Sequence, residues 1–335
     1  MIRSHVVLAA AGLLAGAAGL APAAHATDPT TKGKLGAGMT MYMQMGGNPG
    51  DGATLPRQVG AADAAHALGI KVIEQFSSWQ PENMLNQFRQ AMAARPTCIG
   101  IMGHPGDKAF TPLVTQAEKQ GIVVTAGNTP LPSLMKTYDA KGFGYAGVDL
   151  YKGGEITAAG MVAAGLKKGD EVLVYDLFGE GQRGLSARGL RHGLRAAGMK
   201  VDSLDISPQV DADPSLAVPI LVAFIASHPN LKGIGTQHGG VTAFIPKALQ
   251  QAGKKPGQVV VGGIDLAPAT IGGLQHKYIS ATLDQQLYLQ GFLPVMQCVL
   301  SAKYHFAGLS INTGAGVETP ATITALVPLI KRGIR

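Results

Sequence analysis

The residues Gly179–Gly184, GEGQRG, follow the apolar run EVLVYD and precede LSARGLRHGL. They fit G-x-G-x-x-G between a strand and a helix, a pattern whose glycines let a pyrophosphate reach a helix N-terminus. Asp202 and Asp205 stand about twenty residues on, where a ribose-binding acid belongs. Several features weigh against a dinucleotide. Leu177 and Phe178 lengthen the turn before the first glycine, and the other strand ends of this region bring no catalytic partners. A chain with 46 glycines also passes through the pattern easily. The same turn offers another chemistry: Arg183 or Arg188 can fork N–H donors onto adjacent hydroxyl oxygens of a neutral ligand.

Other reactive constellations are missing from the sequence. GLSARG lacks the last glycine of a G-x-S-x-G nucleophile elbow, and there is neither an H-E-x-x-H helix nor a Cys/His zinc pattern. The methionines of MTMYMQM read as strand core, because thioethers select Cu(I) and no His or Cys accompanies them here. No metal and no cofactor are expected. A carboxylate pair of the glycosidase type stays open, so the alternative is an exported NAD(P)-binding or sugar-processing α/β enzyme.

The elements that must position these residues are legible in the hydrophobic pattern. MIRSHVVLAAAGLLAGAAGLAPAAHA has a basic start, an apolar middle and an A-x-A end, which reads as a signal peptide over residues 1–26. An exported chain is a poor home for a soluble nicotinamide enzyme. Export permits disulfides, but Cys98 and Cys298 are the only cysteines and lie far apart, so two buried free thiols are expected. The formal charge is +7, part of it in the leader and the KRGIR tail, and no Lys/Arg block is interleaved with aromatics. Nucleic acid is therefore not an expected partner.

Short apolar runs alternate with helical patterns. Strands are expected at Lys34–Met43, Lys71–Gln75, Cys98–Met102, Ile122–Ala126 and Phe143–Val148. A second series follows at Glu171–Tyr175, Lys200–Ser207, Gly233–Thr236, Val259–Ile264 and Tyr278–Leu283. Continuous apolar strands alternating with helices read as parallel sheets covered on both faces. The pattern runs through twice, which gives an α/β fold of two similar doubly wound lobes joined by several crossover segments. The N-terminal lobe is expected over 34–148 plus 286–311, and the C-terminal lobe over 149–285 plus 312–330.

Several segments resemble the type I periplasmic sugar-binding proteins of ABC importers, the ribose-binding-like family, in a subgroup of broad substrate range. They are QGIVVTAGNTPLP, YAGVDLYKGGEITAAGM, VVVGGIDLAPATIGGL and ISATLDQQLYLQGF, with IMGHPGD and INTGAGVE beside them. Their order and spacing carry the likeness, from about Lys34 to Thr319. The resemblance implies a periplasmic, monomeric protein. It would hold a sugar or polyol between its lobes by hydroxyl bonds to carboxylates, amides and arginine, and deliver it to the membrane subunits of an ABC permease. It also implies ligand contacts from Asp51, His104 and Asn128 on the first lobe, and from His238, Asp265 and Gln285 on the second. Arg183 and Arg188 both remain candidates for the arginine contact. Asp149, at the crossover, either binds ligand or braces the hinge. Ala53 and Thr54 stand where ribose binders carry stacking aromatics, which leaves Trp79, the single tryptophan, either to stack on the sugar or to pack.

Overall fold

Val, Ile, Met and Gly dominate the buried runs that form the strands. The computed structural model describes residues 34–314 and 316–335; the leader lies outside the described residues. The first series of strands is β1 (Thr40–Gly46), β2 (Lys71–Phe76), β3 (Cys98–Met102), β4 (Val123–Gly127) and β5 (Gly144–Gly147). The second is β6 (Glu171–Asp176), β7 (Lys200–Asp205), β8 (Leu231–Gly235), β9 (Val260–Ile264) and β10 (Ala281–Asp284). Two short strands follow, β11 (Ser310–Asn312) and β12 (Gly316–Glu318).

The sheet orders are β11-β5-β4-β3-β1-β2 and β12-β10-β9-β8-β6-β7. Both reverse direction around their first strand, which is the doubly wound order expected. The pairs are parallel except at one edge, where β12 runs antiparallel to β10. Adjacent tail segments thus add one edge strand to each sheet, β11 to the first and β12 to the second.

Two expectations need correction. The first strand begins at Thr40, not Lys34. Residues 34–39 instead form turns closed by Ala37 N–H to Lys34 O (3.0 Å) and Met39 N–H to Gly36 O (3.0 Å), with Gly38 at φ 82°. The cysteines are not free thiols: Cys98 and Cys298 form a disulfide with Cα atoms 6.0 Å apart. Distance along the chain hid this, because helix Leu287–Tyr304 returns to pack on the first sheet and lays Cys298 over the start of β3.

Each lobe carries one tight helix pair. In the first, a Cβ on Gly60 would lie 2.0 Å from Tyr288 O and one on Gly291 2.0 Å from Arg57 O. Helix Leu55–Leu68 can therefore touch helix Leu287–Tyr304 only through glycine at both positions. In the second, Gly154 and Gly189 do the same for helices Leu150–Ala163 and Leu185–Ala196, against Ser186 O (2.1 Å) and Tyr151 O (2.0 Å). These crossings fix the helices whose N-terminal ends approach the strand tips.

Candidate functional site

The C-terminal ends of both sheets open onto one cavity of about 370 Å³. Loops and helix N-termini converge at this edge in any open α/β sheet, which makes it the natural ligand position. Asn48, Asp51, Ala53 and Arg57 follow β1, Trp79 follows β2, His104 follows β3, and Asn128 follows β4. From the second sheet come Asp176, which ends β6, Arg183 beyond it, Asp211 beyond β7, Gln237 and His238 beyond β8, Asp265 beyond β9, and Gln285 beyond β10.

The strand ends aim these side chains by unusual backbone. Trp79, Asn128 and Asp265 have φ of 60°, 62° and 71°. Asn and Asp accept this left-handed region more readily than other residues, whereas a tryptophan needs its surroundings to impose it. Gly46 and Gly47 supply that condition, since a Cβ on either would strike the Trp79 ring, at 2.3 and 2.6 Å. Trp79 N–H also donates to Gly46 O (3.2 Å). The Asn128 and Asp265 N–H groups donate to carbonyls of the next strand, Ala146 O (3.2 Å) and Leu283 O (3.0 Å). Their own carbonyls accept from Tyr145 Oη (2.9 Å) and Thr282 Oγ1 (3.0 Å).

On the first-lobe wall, Arg57 is 1% exposed. It donates from Nη1 to Ala53 O (2.7 Å) and from Nη2 to Gln290 Oε1 (3.2 Å). Burial lowers its pKa to about 10, against the pull of Asp265 and Asp51, so it stays a cation at neutral pH. Its guanidinium lies 5.6 Å from the centre of the Trp79 ring, and Trp79 stacks on His104 with centroids 5.4 Å apart. Burial, with help from Arg183 and Arg57, lowers the His104 pKa to about 3. The imidazole is therefore neutral. Its Nε2 pairs with Asn128 Oδ1 at 2.8 Å, and Nδ1 is left as a buried atom with no partner. With Nε2–H as donor to that oxygen, Nδ1 is a ready acceptor for a ligand hydroxyl.

The second-lobe wall is acidic. Asp211 accepts a fork from Arg183 (2.8 and 2.7 Å) and a bond from His238 Nε2 (2.9 Å). These partners outweigh partial burial and hold its carboxyl well below the usual range. Asp176 is buried and accepts from the backbone N–H groups of Leu177 and Gln237; burial nevertheless raises its pKa to about 6. Asp265 accepts from Gln285 Nε2 (2.7 Å), and burial pushes its carboxyl up.

Eight of the residues singled out in the sequence line the cavity: Asp51, Trp79, His104, Asn128, Arg183, His238, Asp265 and Gln285. Asp51 spends most of its accepting capacity on its own loop, taking the N–H groups of Ala53 (3.2 Å), Thr54 (2.7 Å) and Asn48 (2.9 Å). Two of the residues do not line the cavity. Arg188 donates to Phe178 O (2.9 Å) and Gly181 O (2.7 Å), bracing the GEGQRG turn from its outer side. Asp149 caps helix Leu150–Ala163 through Lys152 N–H (3.2 Å) and donates its own N–H to Asn312 Oδ1 (3.1 Å), so it ties two crossovers together. Nor do the glycines of the turn behave as a phosphate cradle: none has positive φ, and Gly179 and Gly181 are exposed, with open space where a side chain would stand.

Arg57, Asp176, Asp211 and Gln237 also line the cavity, and none of them is among the residues expected from the sequence. Two of them left a signal. Arg57 is a lone cation on the small-residue helix LPRQVGAADAAHAL, and Asp176 is an acid closing an otherwise apolar strand.

A cleft of polar strand ends between two doubly wound lobes is the architecture of a solute receptor. The model of the periplasmic binding protein domain matches residues 55–303, and the chain belongs to that family. It is 27% identical over 300 residues to the xylose/arabinose-binding protein XylF of Sulfolobus acidocaldarius, covering 80% of this chain and 68% of that one. Among solved structures, it superposes on an ABC transporter solute-binding protein of Burkholderia graminis in complex with D-arabinose. There the TM-score is 0.76 at 22% identity, over 87% of this chain and 98% of the other. A carbohydrate transporter protein of Acidothermus cellulolyticus in complex with myo-inositol gives a TM-score of 0.74 at 18% identity, over 89% and 99% of the two chains.

Proposed function

We propose that this protein captures a neutral monosaccharide or polyol in the cleft and delivers it to an ABC permease, without transforming it. The observation that carries the reading is the charge balance of the wall. Two arginines face four aspartates there, and Arg183 is already committed to Asp211. A phosphate or strongly anionic acid would meet one available cation, Arg57, and several carboxylates. Hydroxyl groups suit the same wall, donating to Asp176 and Asp265 and accepting from Arg57 and the amides. Trp79, held between its contacts with His104 and Arg57, adds apolar surface to the wall for the carbon skeleton of the same ligand class. The sugars named for the Sulfolobus relative, and those bound in the neighbouring structures, support this class.

In this reading residues 1–26 direct export to the periplasm, where the mature chain works as a monomer. The lobes, 34–148 plus 286–311 and 149–285 plus 312–330, close on the ligand about the crossovers. A thermal-shift screen of pentoses, hexoses, inositols, amino acids, organic acids and NAD tests the proposal. Stabilisation by neutral polyhydroxy compounds is expected. A best response to an amino acid or a dinucleotide would refute the carbohydrate assignment, and turnover of a stabilising compound would refute the receptor role.

A further inference from the structure

A second cluster lies away from the cleft, at the opposite edge of the second sheet. Glu171 opens β6, Asp202 stands in β7, and His228 follows helix Ala217–Ser227. Each offers one ligand atom, and the three atoms lie within 4.8 Å of one another. We propose that Glu171, Asp202 and His228 form a structural site for a divalent cation of the Zn²⁺ class.

The carboxylates sit on neighbouring strands. β6 and β7 pair in parallel with Glu171 opposite Lys200 and Leu173 opposite Asp202, so both acids share one face of the sheet. Like charges at this spacing repel unless a cation stands between them. Among the described residues neither acid has an ion-pair partner within 4.0 Å. Lys200 shares the face but is exposed and joins neither. Glu171 Oε1 is buried with no hydrogen-bond partner, a condition native proteins rarely leave unrelieved.

The imidazole is prepared separately. His228 Nδ1 lies 2.8 Å from Phe224 O, which can only accept, and 2.9 Å from Ser227 Oγ, whose own proton has Phe224 O and Ala223 O as acceptors, so Nδ1 carries the proton and Nε2 the lone pair. The ring also stacks on Phe224 with centroids 3.8 Å apart. A backbone carbonyl that fixes one nitrogen while the other faces the metal is the usual support of a ligating histidine. His228 is moreover the C-terminal cap of its helix, where the outward carbonyls favour positive charge. One imidazole and two carboxylates suit Zn²⁺ or a neighbouring first-row cation, at M–N of about 2.0–2.1 Å and M–O of about 2.0–2.2 Å. Small side-chain rotations would bring the three atoms to those distances. Bound there, the ion would clamp β6, β7 and the end of helix Ala217–Ser227 together.

The test is calorimetric titration of ZnCl₂ into the EDTA-treated full chain, with melting curves alongside. One saturable site and a raised Tm are expected. Glu171→Gln and His228→Gln should each weaken binding at least tenfold, and exposed Asp202→Asn should do the same if either of those variants folds poorly. Glu155→Gln, at the separate Glu155–His192 contact, should bind as the parent does. Absence of saturable binding, or parent-like affinity in the folded cluster variants, would overturn the proposal.

Discussion

The two lobes build their cleft walls from the same plan and give them opposite electrostatic character. Third strands β3 and β8 are followed by His104 and His238, and fourth strands β4 and β9 by left-handed Asn128 and Asp265. In the first lobe the histidine meets an amide, is deprived of water and stays neutral. In the second, the histidine meets Asp211 and Arg183 in an ionic group, and the fourth-strand residue is itself a carboxylate. One repeated plan therefore sets a wall with one buried cation, Arg57, and one loop-bound carboxylate, Asp51, against a wall of three aspartates in which Arg183 is paired to Asp211. A ligand with many hydroxyls can donate to one side and accept from the other. The strand ends keep the geometry alike, and single side-chain changes on them set the chemistry.

The largest expected difference between the lobes is in stability. Only the first is pinned by a disulfide, Cys98–Cys298. Cys98→Ala with Cys298→Ala should cost about 2–5 kcal/mol, most of it in the first lobe. Denaturant melts followed by hydrogen exchange would locate the loss; equal loss of protection in both lobes would contradict a local role.

Next is the acidic wall. Asp265→Ala removes a charge-assisted contact of about 1.5–3 kcal/mol, or roughly 10- to 150-fold in affinity for the best neutral ligand of the screen. Asn128→Ala removes neutral bonds of about 0.5–1.5 kcal/mol and should weaken binding only a few-fold. Titration of both variants ranks the walls, and a larger loss at Asn128 would reverse the comparison.

The pH response should also divide. Asp176 titrates near 6 in the folded chain against 3.8 for a free aspartate. Between those values the folded form binds more protons than the unfolded, so the Asp176 contribution to stability falls as pH rises through that window. Its total is on the order of 2–3 kcal/mol. Asp211 acts in the opposite sense: its carboxyl is depressed, so its contribution is present above the unfolded value and is lost on acidification. Asp176→Asn should make the decline between about pH 4 and 6 shallower, leaving the share of other buried carboxyls such as Asp265; it is measured as Tm against pH, and an unchanged slope would contradict the assignment.

The fold was legible because parallel strands are continuous apolar runs and the series repeats. So were the cleft residues that follow strand ends within recognisable segments, such as Asp265 and Gln285. What stayed hidden depended on three-dimensional return of the chain. Cys298 meets Cys98 only through a helix that re-crosses to the first sheet. Arg57 reads as a surface cation until Gly60 and Gly291 draw its helix against the one carrying Gln290. Asp211 lies in a short helix beyond β7, outside every segment that carried the resemblance. Arg183 and Arg188 are both candidates in the sequence, with Arg183 favoured by its place in the turn itself, and it is Arg183 that lines the cavity.

Selection of a neutral polyhydroxy ligand by the paired walls can be measured by calorimetry of the purified chain. D-xylose, D-arabinose and myo-inositol should be titrated beside D-galacturonate and D-ribose 5-phosphate. Saturable one-to-one binding of at least one neutral compound is expected, with no chemical change in it and markedly weaker binding of the anions. Tighter binding of an anionic compound than of every neutral one would contradict it.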